Sequence, residues 1–251
     1  DATEDILVPW IAEHRNLYQD IIYNNDSENC VSYAIKDDLL IELRERALEC
    51  CKARGIKYFF NVEADVILRY PNTIQELTQY NCSVVSPLVS KPENPAWTNF
   101  WGDMDVNRYY ARSPDYTRIA YKKESGCFIA ALVRETYLID LDKWPSVSWI
   151  APQDQDPKNK LEGYQNFALN AFKNTVKLHI VNTHNFGVLA TTPPERFEYN
   201  RHCHPQLFTY WENRDLWLDA YIHPTARPLI NNPQLVQMIV EEIKPNSEIY
   251  E

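Results

Sequence analysis

Glycine is scarce in this chain: five in 251 residues, few for a sequence that must turn as often as this one does. No run of 18 apolar residues occurs, so no segment has the length of a membrane-crossing helix. The six cysteines, at positions 30, 50, 51, 82, 127 and 203, include no CxxC pair, which removes the usual sequence basis for a zinc site. Cations are neither abundant nor clustered. With 25 Lys and Arg against 35 Asp and Glu, the formal charge is -10, which argues against nucleic acid as a partner. There is no internal repeat and no low-complexity run. The chain opens Asp1-Ala2-Thr3 without Met or a signal peptide, as expected of a processed product or a piece of something longer.

What remains is a composition that builds cores, 45% apolar and 13% aromatic. The even cysteine count and two sequons, Asn25-Asp26-Ser27 and Asn81-Cys82-Ser83, fit a secretory compartment; ordinary buried thiols are the alternative.

Periodicity places a helix over 37–53, with Leu39, Leu40, Leu43, Ala47 and Leu48 as its apolar positions, Asp37 or Asp38 as N-cap and Gly55 as its stop. A buried strand over 57–62 follows. Pro71 introduces a helix over 73–79, and 83–88 reads as a second short strand. Strand, helix, strand is the grammar of a parallel sheet with helical crossovers. An irregular, aromatic stretch over 90–118 comes next, followed by strands at 128–133 and 137–141, a helix at 161–172 and a strand at 176–181. Helical periodicity returns at 207–221 and 233–243.

The first strand runs into Glu63-Ala64-Asp65. Along an extended chain residues 63 and 65 share a side, and two carboxylates so placed repel unless a cation lies between them. A Mg or Mn ion held by these oxygens would carry a diphosphate leaving group; a solvated loop after a strand is the plainer reading. His184 follows the strand over 176–181 and is either a third ligand or a hydrogen-bonded structural histidine. His202 and His204 are spaced as a strand-borne metal pair, although Cys203 and Pro205 favour a packed turn. Asp103 and Asp105 supply extra oxygens or loop solvation. Trp97 and Trp101 are placed either to stack on a sugar or to pack in a core.

Several longer motifs surround the acidic pair. They include Asp65-Val66-Ile67-Leu68, Val84-Val85-Ser86-Pro87-Leu88, Trp97-Thr98-Asn99-Phe100-Trp101-Gly102 and Tyr109-Tyr110-Ala111-Arg112-Ser113-Pro114-Asp115-Tyr116. With His184-Asn185-Phe186-Gly187 and His202-Cys203-His204-Pro205, they resemble the central glycosyltransferase-like domain of procollagen lysyl hydroxylases, over about residues 40–243. Gly126-Cys127-Phe128 and Tyr137-Leu138-Ile139-Asp140-Leu141 also look like the related collagen galactosyltransferases.

The resemblance implies an α/β fold of GT-A (Rossmann-like) type. Its mostly parallel sheet would be flanked by helices and lack part of the N-terminal βαβ, since no opening strand, helix, strand is evident before residue 57. It implies one domain over 1–251, with 205–251 a helical extension leading to a following domain. The implied setting is the lumen of the endoplasmic reticulum, with collagen chains and the enzyme's other domains as partners and a homodimer as a further option. Iron, 2-oxoglutarate and ascorbate would serve a separate hydroxylase domain. This chain has no His-x-Asp with a distant His, the facial triad that such iron chemistry needs.

An active transferase of this type would hold Mn and a UDP-sugar, with Glu63, Asp65 and His184 on the metal and Trp97 and Trp101 near the cofactor. The chain departs from that pattern at Glu63, where the pattern has Asp, and at Tyr164, where relatives carry the second Asp of an Asp-Pro-Asp cluster. Three functions follow: an accessory domain serving as scaffold and interaction surface, an active transferase acting on collagen hydroxylysine, or a secreted carbohydrate-binding module that holds sugar without metal.

Overall fold

The computed structural model describes residues 3–23, 33–92, 94–105, 108, 110–111, 113–154 and 161–190. The chain divides into two units, Asp1–Cys30 with Thr192–Glu251, and Val31–Thr191. In the first, α1 (Thr3–His14) carries Pro9 and runs into a short 3-10 turn, Arg15–Leu17. The helices expected at 207–221 and 233–243, the extension over 205–251 and the pair His202 and His204 lie outside the described residues. So do Cys30, Cys203 and the sequon at Asn25.

The second unit is an α/β body built on five strands. These are β1 (Tyr58–Val62), β3 (Val84–Pro87), β7 (Cys127–Ala130), β9 (Thr136–Asp140) and β10 (Leu178–Val181). Their order is β1-β9-β3-β10-β7. β1, β3 and β10 run in one direction, as the crossover pattern implies, but β9 is inserted antiparallel between β1 and β3, and β7 runs antiparallel beside β10. The sheet is therefore mixed, with β3 and β10 its one directly bonded parallel pair. Among the described residues before β1 there are helices and no strand.

Side-chain alternation divides the sheet into two faces. Val84, Ile139 and Ile180 belong to one core cluster and Val85, Leu138 and Val181 to the other. The first face meets α2 (Tyr33–Ala53) and α5 (Gly163–Lys173) around a group of large rings: Tyr137, Trp144, Trp149 and Phe167. Phe167 stacks on both Tyr137 and Trp149 at 5.2 Å, and Trp149 Nε1 donates to the Tyr137 hydroxyl at 2.9 Å, which pairs these two polar ends, whereas the buried Trp144 Nε1 has no hydrogen-bond partner. The second face is covered by α3 (Thr73–Gln79) and by a ribbon of β2 (Val66–Leu68) with β11 (Gly187–Leu189).

α2 differs from its expected form. It starts at Tyr33, four residues early, and its buried stripe is Ile41, Arg44, Leu48 and Cys51, a spacing of three, four and three residues. Ala47, expected inside, is exposed. Gly55 ends the helix as expected: at φ 64 it lets Ile56 N–H reach the Cys51 carbonyl while its own N–H reaches that of Lys52.

Residues 128–133, expected as one strand, belong to two sheets. The chain leaves the main sheet after β7, and β8 (Leu132–Val133) pairs instead with β4 (Phe100–Trp101), with the Ala131 N–H bonded to the Trp101 carbonyl at the switch. The aromatic stretch also holds β5 (Asp103–Met104) paired with β6 (Tyr110–Ala111), and α4 (Tyr116–Ala120), none of which periodicity announced.

Candidate functional site

The sheet has one edge where the ends of β1, β3 and β10 meet the starts of β9 and β7. Val62 pairs with Thr136, and Val181 with both Pro87 and Cys127. In sheets of this kind the loops beyond the carboxyl ends of such strands form the ligand crevice. Glu63, Asp65, Glu135 and His184 all lie just beyond this edge.

β1 delivers its acids from the rim of the sheet, not from its interior. It is an edge strand bonded only to β9, and Phe59 is its one buried residue. The chain does not continue extended past Val62. Glu63 N–H bonds the Glu135 carbonyl at 2.9 Å, then Val66 N–H turns back to the Glu63 carbonyl at 3.0 Å. Asp65 is close enough to Glu63 to raise its cost of ionisation, but through this turn and not by strand alternation.

A residue absent from the sequence reading completes this corner. Arg44, 6% exposed, projects from the buried stripe of α2, and its Nη2 donates to Glu63 Oε1 and, at 2.8 Å, to the Tyr164 hydroxyl. Its guanidinium carbon lies 4.6 Å from the Tyr164 ring centre, and that of Arg134 lies 6.0 Å away. Tyr164 sits in the first turn of α5, so the helix brings the phenol to the place where the resemblance put an acid. Burial pushes the Glu63 carboxyl above the usual range; Arg44 opposes this and Asp65 adds to it.

Glu135 is the deepest acid of this corner, 6% exposed and at φ 54, with Oε1 accepting from Arg134 Nη2 and Oε2 buried without a hydrogen-bond partner. Burial pushes it up to about 7, against the pull of Arg134 and with help from Glu63 and Asp65. No sequence argument had singled it out. The available signal was an Arg-Glu pair immediately before a strand.

His184 stands elsewhere on the same edge. Its ring stacks on Tyr70 at 4.3 Å and 8°, meets Phe186 edge-on, and turns Nε2 toward Glu76 Oε1 at 3.7 Å. The structure thus groups Glu63 with Asp65 and places His184 with α3. Among the described residues no three His, Cys, Asp or Glu side chains are grouped to hold a metal. As arranged, the donors do not fit a divalent ion, because a guanidinium already holds the first carboxylate and the histidine faces a different one. Trp97 is 55% exposed with the Lys91 ammonium 4.0 Å over its ring, while Trp101 is half-buried in β4 against Tyr110. Asp103 is exposed, and its Oδ1 accepts from the Met104 N–H.

Comparison with known proteins gives this corner a context. The family model described as glycosyltransferase family 25, N-terminal domain, matches residues 1–203. The chain is 27% identical over 201 residues to the multifunctional procollagen lysine hydroxylase and glycosyltransferase LH3 of Rattus norvegicus, covering 78% of this chain and 26% of that protein. The Homo sapiens protein of the same name is 29% identical over the same shares. Procollagen-lysine,2-oxoglutarate 5-dioxygenase 1 of Gallus gallus is 28% identical over 231 residues, 90% of this chain and 31% of that protein. The chain spans about a quarter to a third of the length of these relatives.

Proposed function

Since the chain belongs to the glycosyltransferase family 25 N-terminal domain family, we propose that it is a glycosyltransferase-like accessory domain of a collagen-lysine-modifying enzyme, without sugar transfer of its own. Its role is to position the enzyme's other domains and its collagen substrate, with self-association as one form that scaffold takes. The observation that carries this reading is the Arg44 ion pair to Glu63. A fixed guanidinium stands against the carboxylate that a transferase would need for a metal, and Tyr164 supports it with a neutral hydroxyl. The formal charge of -10 suits long-range attraction of lysine- and arginine-rich collagen segments. The setting is the endoplasmic reticulum lumen, where the Asn81 sequon is a glycan acceptor.

Calorimetric titration of UDP with Mn into the chain tests this. Silence is the expected result. Heat that appears with the wild type and disappears in Asp65→Ala overturns it in favour of a metal-dependent UDP-sugar transferase acting on collagen hydroxylysine. The scaffold role has its own readout. A basic triple-helical collagen peptide should bind, and its affinity should fall as salt is raised.

A further inference from the structure

Four cysteines fall among the described residues. Cys50 and Cys51 are consecutive on α2, where neighbouring side chains diverge. Cys82 and Cys127 are a different case. Cys82 lies in the turn between α3 and β3, Cys127 opens β7, and the fold brings both onto the α3 face of the sheet. There they pack against the cluster of Val85, Leu138 and Val181, near enough for each thiol to influence the ionisation of the other. The Cys82 S–H also reaches the Tyr80 carbonyl at 3.4 Å, so its side chain is turned in toward the protein.

We propose that Cys82 and Cys127 join in a disulfide that staples the turn after α3 to the first residue of β7. The surroundings give the reaction a direction. Burial pushes the Cys127 thiol up to about 12. Cys82 is also raised by burial, but the neighbouring Cys127 thiol and the charge of Lys143 draw it back. Lys143 is held close by, its Nζ donating to the backbone carbonyl of Asn81.

Cys82 is therefore the first nucleophile. Its thiolate attacks one sulfur of a low-molecular-weight disulfide such as oxidised glutathione, forming a mixed disulfide and releasing one glutathione thiolate. Cys127 then gives its proton to solvent, and its sulfur attacks the Cys82 sulfur, releasing the second thiolate. Two protein thiols are oxidised and one disulfide reagent is reduced to two thiols. The bond closes the chain from 82 to 127, a loop holding β3, β4, β5, β6 and α4, and so restrains the unfolded form of the whole aromatic segment. Its occurrence in the cell rests on the secretory setting proposed above; the pairing itself rests on the fold.

The test equilibrates the 251-residue chain in a glutathione redox buffer, blocks free thiols with N-ethylmaleimide without reduction, and maps the digested peptides by mass. The peptides bearing Cys82 and Cys127 should appear joined, two hydrogens lighter than their sum and separable by reductant. Cys127→Ser should leave Cys82 alkylated, and Cys50→Ser should leave the link intact. Alkylation of both residues in the wild type, or Cys82 joined to any other cysteine, overturns the proposal. A melt guards against a variant that does not fold: oxidised wild type should melt above reduced wild type, whereas equal midpoints count against the staple. If chain isolated from cells is reduced while the buffer produces the link, the secretory setting fails and the pairing stands.

Discussion

Arg44→Met is the perturbation that most directly tests how the crevice corner is held. Methionine keeps the length and apolar stem that α2 needs in its buried stripe and removes only the guanidinium. Glu63 then faces the same burial without its partner, and the Tyr164 hydroxyl loses its donor. One-sided removal of a buried ion pair costs about 3–5 kcal/mol. Glu63 is 25% exposed, so it recovers some hydration and can also take a proton, which brings the expectation down to about 2–3 kcal/mol at neutral pH. For a chain of this size that lowers the melting midpoint by about 4–12 °C.

The sign of the pH dependence follows from the same pair. Burial already holds the Glu63 carboxyl above its ordinary value, with Arg44 the main opposing influence, so the variant raises it further. A carboxyl whose folded pKa exceeds its unfolded one contributes stability below the unfolded value and loses it as pH climbs through the folded value. The deficit of Arg44→Met is therefore smaller at about pH 5 than at about pH 8. Urea unfolding of wild type, Arg44→Met, Glu63→Gln and the double variant at those two pH values measures it, and the double variant should recover part of the loss. A deficit below about 1 kcal/mol at the higher pH, equal deficits at both, or simple additivity would refute the reasoning.

Three further outcomes are expected. Glu135 has a folded value near 7, above the ordinary 4.5, so it costs stability as pH rises through that interval; Glu135→Gln should remove this component, a slope of at most about 1.4 kcal/mol per pH unit, as read by urea midpoints against pH. Gly187→Ala should destabilise by about 1–3 kcal/mol in a thermal or urea melt, because a methyl at Gly187 overlaps the Ile67 carbonyl where β11 crosses β2. Asn99→Ala should cost about 2–4 kcal/mol by the same assay, since the buried Asn99 side chain accepts from the Val89 N–H and donates to the Ser86 hydroxyl and the Pro87 carbonyl, tying the aromatic segment to the end of β3.

The elements that could be read from sequence are those whose evidence is local. β1, β3, β9 and β10 are short apolar runs closed by turns, and α3 and α5 are periodic stretches with clear ends, so each was placed to within a few residues. Elements decided by distant partners were not. The single stretch 128–133 serves two sheets because β4 takes its second half, and nothing within those six residues reports on β4. The same holds for the position of β1, whose apolar run suits an interior strand yet pairs on one side only. α2 was found but its face was misread, because of its four leucines only Leu48 is fully buried and the true stripe contains an arginine.

That arginine explains why the candidate site was half legible. Two carboxylates one residue apart require a cation, and sequence can state the requirement without saying which cation answers it. Here the answer comes from Arg44, 19 residues earlier, and from the residue at position 164. An aspartate at 164 would compete with Glu63 for the same guanidinium and add a further negative charge to a corner that already holds Glu63, Asp65 and Glu135 against Arg44 and Arg134. A tyrosine accepts the hydrogen bond without that charge, so Arg44 stays with Glu63. Glu135, able to take a proton near neutrality, lowers the negative charge that Arg44 and Arg134 face in this corner. The departures at 63 and 164, which read as separate losses in the sequence, are in the fold two contacts of one guanidinium.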